Sequence, residues 1–149
     1  MKKGFTLVEI MIVVAIIALL AAVAIPGLLR SRLTANESNA ISTLKSIATG
    51  AETFRAAQSS PAYPTNLTNL VGANPPYLTG FPSTAANGAG KAGYNYTVVG
   101  TTDTFYAYAN AGSSSTGSRN FCINQTGSMF SQAETSDYSG DCTAGTLMQ

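Results

Sequence analysis

The chain has 149 residues, room for one domain of ordinary size and not two. It is 45% hydrophobic but only 10% charged, with no histidine, no tryptophan and a formal net charge of +1. That balance argues against nonspecific nucleic-acid binding, and the missing histidine removes Ser-His and Cys-His catalysis.

Met1 to Gly4 includes two lysines, and the 21 residues from Phe5 to Ile25 carry only Thr6 and Glu9 as polar side chains. As a helix rising about 1.5 Å per residue, this stretch spans roughly 30 Å, the hydrocarbon thickness of a bilayer. A lone carboxylate there costs on the order of 3 kcal/mol unless it is partnered. The helix dipole favours Glu9 in a first turn. A second partner becomes available if the chain is cut between Gly4 and Phe5. The new α-ammonium of Phe5 then lies four residues from Glu9, and the two charges can cross-pair between copies. Two unit charges about 4 Å apart attract by roughly 1 kcal/mol in water and about 4 at an effective dielectric of 20. An ordinary secretory signal is cut after its apolar core. Here Ala21, Ala22 and Ala24 run into Ile25 and Pro26 with no polar cleavage region.

The segment KKGFTLVEIMIVVAIIALLAAVAIP resembles the amino terminus of type IV pilins and of the related type II secretion pseudopilins, from Lys2 to about Arg30. The resemblance implies a leader of residues 1–4 removed by a prepilin peptidase after Gly4. It also implies N-methylation of Phe5 and an assembly role for Glu9 paired with a neighbour's Phe5 amine. Lys2 and Lys3 then hold the amino terminus in the cytoplasm and the head faces the periplasm. The expected partners are further copies in a helical filament, the inner membrane, the peptidase and the pilus assembly machinery.

Pro26 and Gly27 are expected to break or kink the helix after the transmembrane and assembly segment of residues 5–28. From 29 to 58 an amphipathic half follows. Ala40, Leu44, Ile47, Ala51 and Phe54 recur at steps of three and four, with Ile41 and Ala48 beside them. Gly50 reads as a weak point of about 1 kcal/mol relative to alanine. The head is residues 59–149. Its first part, 59–93, is rich in proline, glycine and asparagine and reads as a connection with one short helical turn near Thr65–Leu70. Tyr63, Leu67, Leu70, Tyr77, Leu78 and Phe81 are available to pin it down.

Residues 94–131 read as a sheet. Tyr94–Val99, Thr104–Ala109, Arg119–Asn124 and Ser128–Ser131 alternate or are bounded by turns, giving four antiparallel strands. The fold class is α+β, a long amino-terminal helix packed on a small antiparallel sheet. Cys122 and Cys142 are the only cysteines, and in an exported chain they form one disulfide bounding a loop of residues 122–142. Type IV pilins carry a similarly placed loop. Two thiols without histidine do not make a zinc site. Glu134, Asp137 and Asp141 are a calcium-ligating alternative, since the resembling pseudopilins bind calcium near this end. A solvated acidic loop is the default, and no cofactor is expected.

No phosphate-cradling motif or nucleophile constellation stands out, so the chain reads as structural, not enzymatic. The expected role is the major subunit of a type IV pilus, with adhesion, motility or DNA uptake downstream. The expected location is the inner membrane as precursor and an extracellular filament when mature. The alternatives are a pseudopilin of a periplasmic pseudopilus and a minor pilin with a binding head.

Overall fold

The computed structural model describes residues 4–148. Lys2 and Lys3, and with them the expected topology signal, lie outside the described residues. Contacts divide the chain into two units, one up to Arg32 and one from Leu33 onward.

Helix α1 runs from Leu7 to Ala57 and enters both units. In the single chain α1 is helical through Pro26 and Gly27. Pro26 cannot donate to the carbonyl of Ala22, but one missing bond is tolerated when the flanking turns are strong helix formers. The Ser31 hydroxyl donates to the Gly27 carbonyl at 3.0 Å and adds a bond in the same turn.

In the first unit the helix is long and apolar enough to cross a membrane. Its large hydrophobic side chains, from Leu7 to Leu29, are exposed.

The second unit folds the rest of α1 against a sheet. Ala40, Leu44, Ile47 and Ala51 are fully buried, and Ile41, Ala48 and Phe54 pack at the margin of the same core. Helix α2, Thr68–Val71, is the short turn expected in the connection. Six antiparallel strands follow in meander order. They are β1 Ala89–Lys91, β2 Tyr94–Gly100, β3 Phe105–Ala111, β4 Arg119–Asn124, β5 Met129–Ala133 and β6 Thr146–Leu147. The four expected strands are β2 to β5. The sheet gains a strand at each edge, both too short to show an alternation.

Register explains the packing. Tyr96 pairs with Ala109 and Ala109 with Phe121, while Val98 pairs with Ala107 and Ala107 with Ile123. Large side chains on β2 and β4 therefore flank a row of alanines on β3, all in the core with α1. The connection is pinned as expected at Tyr63, Leu67, Leu70 and Leu78, which are buried, with Tyr77 and Phe81 partly so. Asn87 holds it by backbone groups: its Oδ1 accepts from the N–H groups of Leu67 (2.9 Å) and Val98 (3.0 Å), and its Nδ2 donates to the Val98 carbonyl.

Gly50 has a reason beyond propensity. A Cβ there would lie 2.9 Å from the Tyr77 carbonyl oxygen, so the connection crosses α1 where only glycine lets two backbones approach.

Candidate functional site

Helix α1 begins with a reciprocal cap. The Glu9 N–H donates to the Thr6 hydroxyl oxygen at 3.2 Å, and the Thr6 N–H donates to Glu9 Oε2 at 3.5 Å. This is a capping box, a threonine followed three residues later by a glutamate, closing two of the four free donors of a helix start. Sequence reading treated Glu9 as partnered within its own chain only by the helix dipole. The T-x-x-E spacing was the signal for this second, local partner. The contact through Oε2 is long for a hydrogen bond, so the carboxylate keeps acceptor capacity for a cation.

Gly4 and Phe5 precede the helix outside any regular element, and Phe5 is 80% exposed. A Cβ on Gly4 would meet nothing within 4 Å. Among the described residues nothing therefore demands glycine at that position. The exposed junction, the carboxylate one turn beyond it and the uncovered apolar helix follow one another in the first unit.

In the second unit Cys122 and Cys142 form the disulfide, with Cα atoms 5.4 Å apart. β4 is buried on both faces: Phe121 and Ile123 face the α1 core, and Cys122 joins a second cluster with Tyr138 and Cys142. Tyr106, Tyr108 and Phe130 pack on that cluster. Burial pushes the Tyr138 hydroxyl up to about 12. Among the described residues no group of three or more His, Cys, Asp or Glu side chains comes together. Asp137 accepts from Asn120 Nδ2 at 3.1 Å, and Asp141 caps the turn Cys142–Ala144 through the Thr143 N–H and hydroxyl.

One group escaped the sequence reading. Glu37 on α1 is only 8% exposed. Its Oε1 accepts from the Ser118 N–H (3.1 Å) and hydroxyl (2.6 Å), and its Oε2 from Arg119 Nη2 (2.7 Å) and Nε (3.3 Å). Burial alone raises its pKa, but the hydrogen bonds from Ser118 and Arg119 outweigh burial and hold it below the ordinary value. Asn36 adds a bond to the Thr116 carbonyl, so the β3–β4 loop is tied to the helix at adjacent residues. Near the other end of the helix, Tyr63 donates to Glu52 at 2.6 Å while Arg55 stacks 4.6 Å over its ring.

Comparison with known proteins places the similarity at the amino terminus. Residues 1–25 match the prokaryotic N-terminal methylation motif. Over 53 residues the chain is 46% identical to the type IV major pilin protein PilA of Myxococcus xanthus, covering 36% of this chain and 24% of that protein. Over 36 residues it is 64% identical to the type IV wide pilus major component PilA4 of Thermus thermophilus, covering 24% of this chain and 28% of that one. The chain thus spans about a quarter of the length of these relatives. No solved structure matches. The resemblance to type IV pilins therefore rests on the prepilin motif and the helix that follows it.

Proposed function

We propose that this chain is the major structural subunit of a type IV pilus. A prepilin peptidase cuts after Gly4 and Phe5 is methylated. The subunit waits in the inner membrane by its apolar helix, with its head in the periplasm, until the assembly machinery draws it into an extracellular filament. Neighbouring copies then cover the large side chains that the single chain leaves exposed between Leu7 and Leu29.

The observation that carries the reading is the carboxylate at the start of that helix. The Glu9 carboxylate accepts from the Thr6 N–H through a long contact of 3.5 Å. An incoming Phe5 ammonium from an adjacent copy offers it full charge neutralisation in an apolar bundle. A copy shifted along the axis leaves a charge buried and unpaired, at a cost of several kcal/mol. The pair therefore sets axial register as well as adhesion between copies. The requirement for glycine at residue 4 belongs to the peptidase, since the folded chain has open space there.

The tail favours a pilus over a pseudopilus. It is held by a disulfide, and Asp137 and Asp141 are occupied with Asn120 and Thr143. Glu9→Ala tests the assembly step. Processing and the membrane pool should stay near wild type while sheared surface fibres disappear. Fibres of normal length and yield would overturn the pairing. Gly4→Leu tests the leader: it should block cutting, and a mature-length product would refute the assignment.

A further inference from the structure

The head carries two complementary surface features that its own fold leaves unused. Among the described residues from 33 onward, Lys45 and Asp103 are exposed charged side chains with no hydrogen bond, ion pair or ring contact. The other cations there are engaged: Arg119 with Glu37, Arg55 with Tyr63, and Lys91 over the Phe81 ring. In the same unit the exposed large hydrophobic side chains are Val99, at 38%, and Leu147, at 56%.

These four residues sort into two patches. Lys45 stands on α1 at the rim of an open groove of about 450 Å³ whose walls include Ile41, Met129, Leu147 and Met148. Asp103 lies in the turn between β2 and β3, and Val99 sits near the end of β2 just before that turn. The β2–β3 and β4–β5 turns leave the same end of the sheet, separated by β3 and β4. With strands about 4.8 Å apart they are roughly 10 Å from each other. The patches are thus adjacent but distinct. One is a cation over a groove of mixed polar and apolar lining, and the other is an acid beside an apolar knob.

We infer that the β2–β3 turn of one copy docks into the Lys45 groove of the next copy, pairing Asp103 with Lys45 and laying Val99 on Leu147. This rests on the filament reading above and adds a head-to-head contact to the helix bundle. A contact between two different patches is heterologous, and a heterologous contact whose rotation does not close generates an open helix. Charge complementarity selects the second copy as occupant, because the acid and the knob the groove lacks are both on this chain. The pair also fixes lateral register, since a shifted copy would leave both charges without their partner.

The test is a charge swap in the full chain, with sheared surface fibres measured against the membrane pool of processed subunit. Lys45→Asp and Asp103→Lys should each lower fibre yield at least tenfold at an unchanged pool, since neither side chain supports the fold. The double variant should recover at least half of wild-type yield. Single variants that assemble like wild type, or a double variant no better than either, would overturn the contact while leaving the filament reading intact. Loss with Lys45→Asp but not with Asp103→Lys would overturn it in favour of an anionic lipid headgroup in the groove. Absence of fibres from the wild-type chain would remove the filament reading and this contact together.

Discussion

Replacing Glu37 by alanine should destabilise the head more than replacing its cationic partner. Glu37 is nearly buried and accepts from Ser118 and Arg119, whereas the Arg119 side chain is 47% exposed. The two Ser118 bonds to a carboxylate are each worth about 1.5–3 kcal/mol, and Ser118 itself is exposed, so water takes up part of that loss when the acceptor goes. The Arg119 component is screened by solvent and adds under about 1 kcal/mol. Allowing for non-additivity, Glu37→Ala should cost about 3 kcal/mol and Arg119→Ala about 1. At roughly 4 °C per kcal/mol for a head of this size, the melting temperatures should fall by about 12 °C and 4 °C. Urea unfolding of the mature chain in detergent, followed by tyrosine fluorescence, reads both, as there is no tryptophan to interfere. The pH dependence adds a second check. The folded pKa of Glu37 lies below its ordinary 4.5, so its contribution is full above that value and is lost as pH falls through the lowered one. The gap between wild type and Glu37→Gln should therefore be flat near neutrality and close below about pH 4.5. A Glu37→Ala cost under about 0.5 kcal/mol, the level of an ordinary surface change, would refute the reasoning.

Gly50→Ala should destabilise the head by about 1–2 kcal/mol, because contact with the Tyr77 carbonyl outweighs the helix-propensity gain of about 1; a raised melting temperature would contradict the crossing. Asn87→Ala should cost about 3 kcal/mol by leaving the Leu67 and Val98 N–H groups without an acceptor, measurable by the same unfolding curve. Paired serines at Cys122 and Cys142 should lose about 3 kcal/mol on the chain-entropy account of a loop this long, and proteolysis should then begin between residues 134 and 148.

The parts of this fold written in local pattern were legible. The apolar run to Ile25 and the stripe Ala40, Leu44, Ile47 and Ala51 showed helix, and the alternation of Tyr94, Tyr96 and Val98 showed strand. The edge strands were not legible. Ala89-Gly90-Lys91 carries no alternation and Thr146-Leu147 is too short for one, so each exists because a neighbouring strand offers backbone partners. Pro26 and Gly27 carry local break signals, yet in the single chain the strong helix formers on both sides carry the helix through them. Glu37 lies in the polar run Asn36-Glu37-Ser38-Asn39, which reads as a solvated face. Its partners are 81 and 82 residues away, and no spacing rule reaches that far. At the amino terminus the T-x-x-E spacing of Thr6 and Glu9 is a capping-box signature that sequence alone shows.

The central claim is that a newly made terminus at Phe5 neutralises Glu9 on an adjacent copy. Mass spectrometry of the amino-terminal peptide from sheared extracellular fibres tests it most directly. The account predicts a peptide that begins at Phe5 and carries one added methyl group. Fibres whose subunits still begin at Met1 would contradict it, because no amine would then exist where the carboxylate requires one.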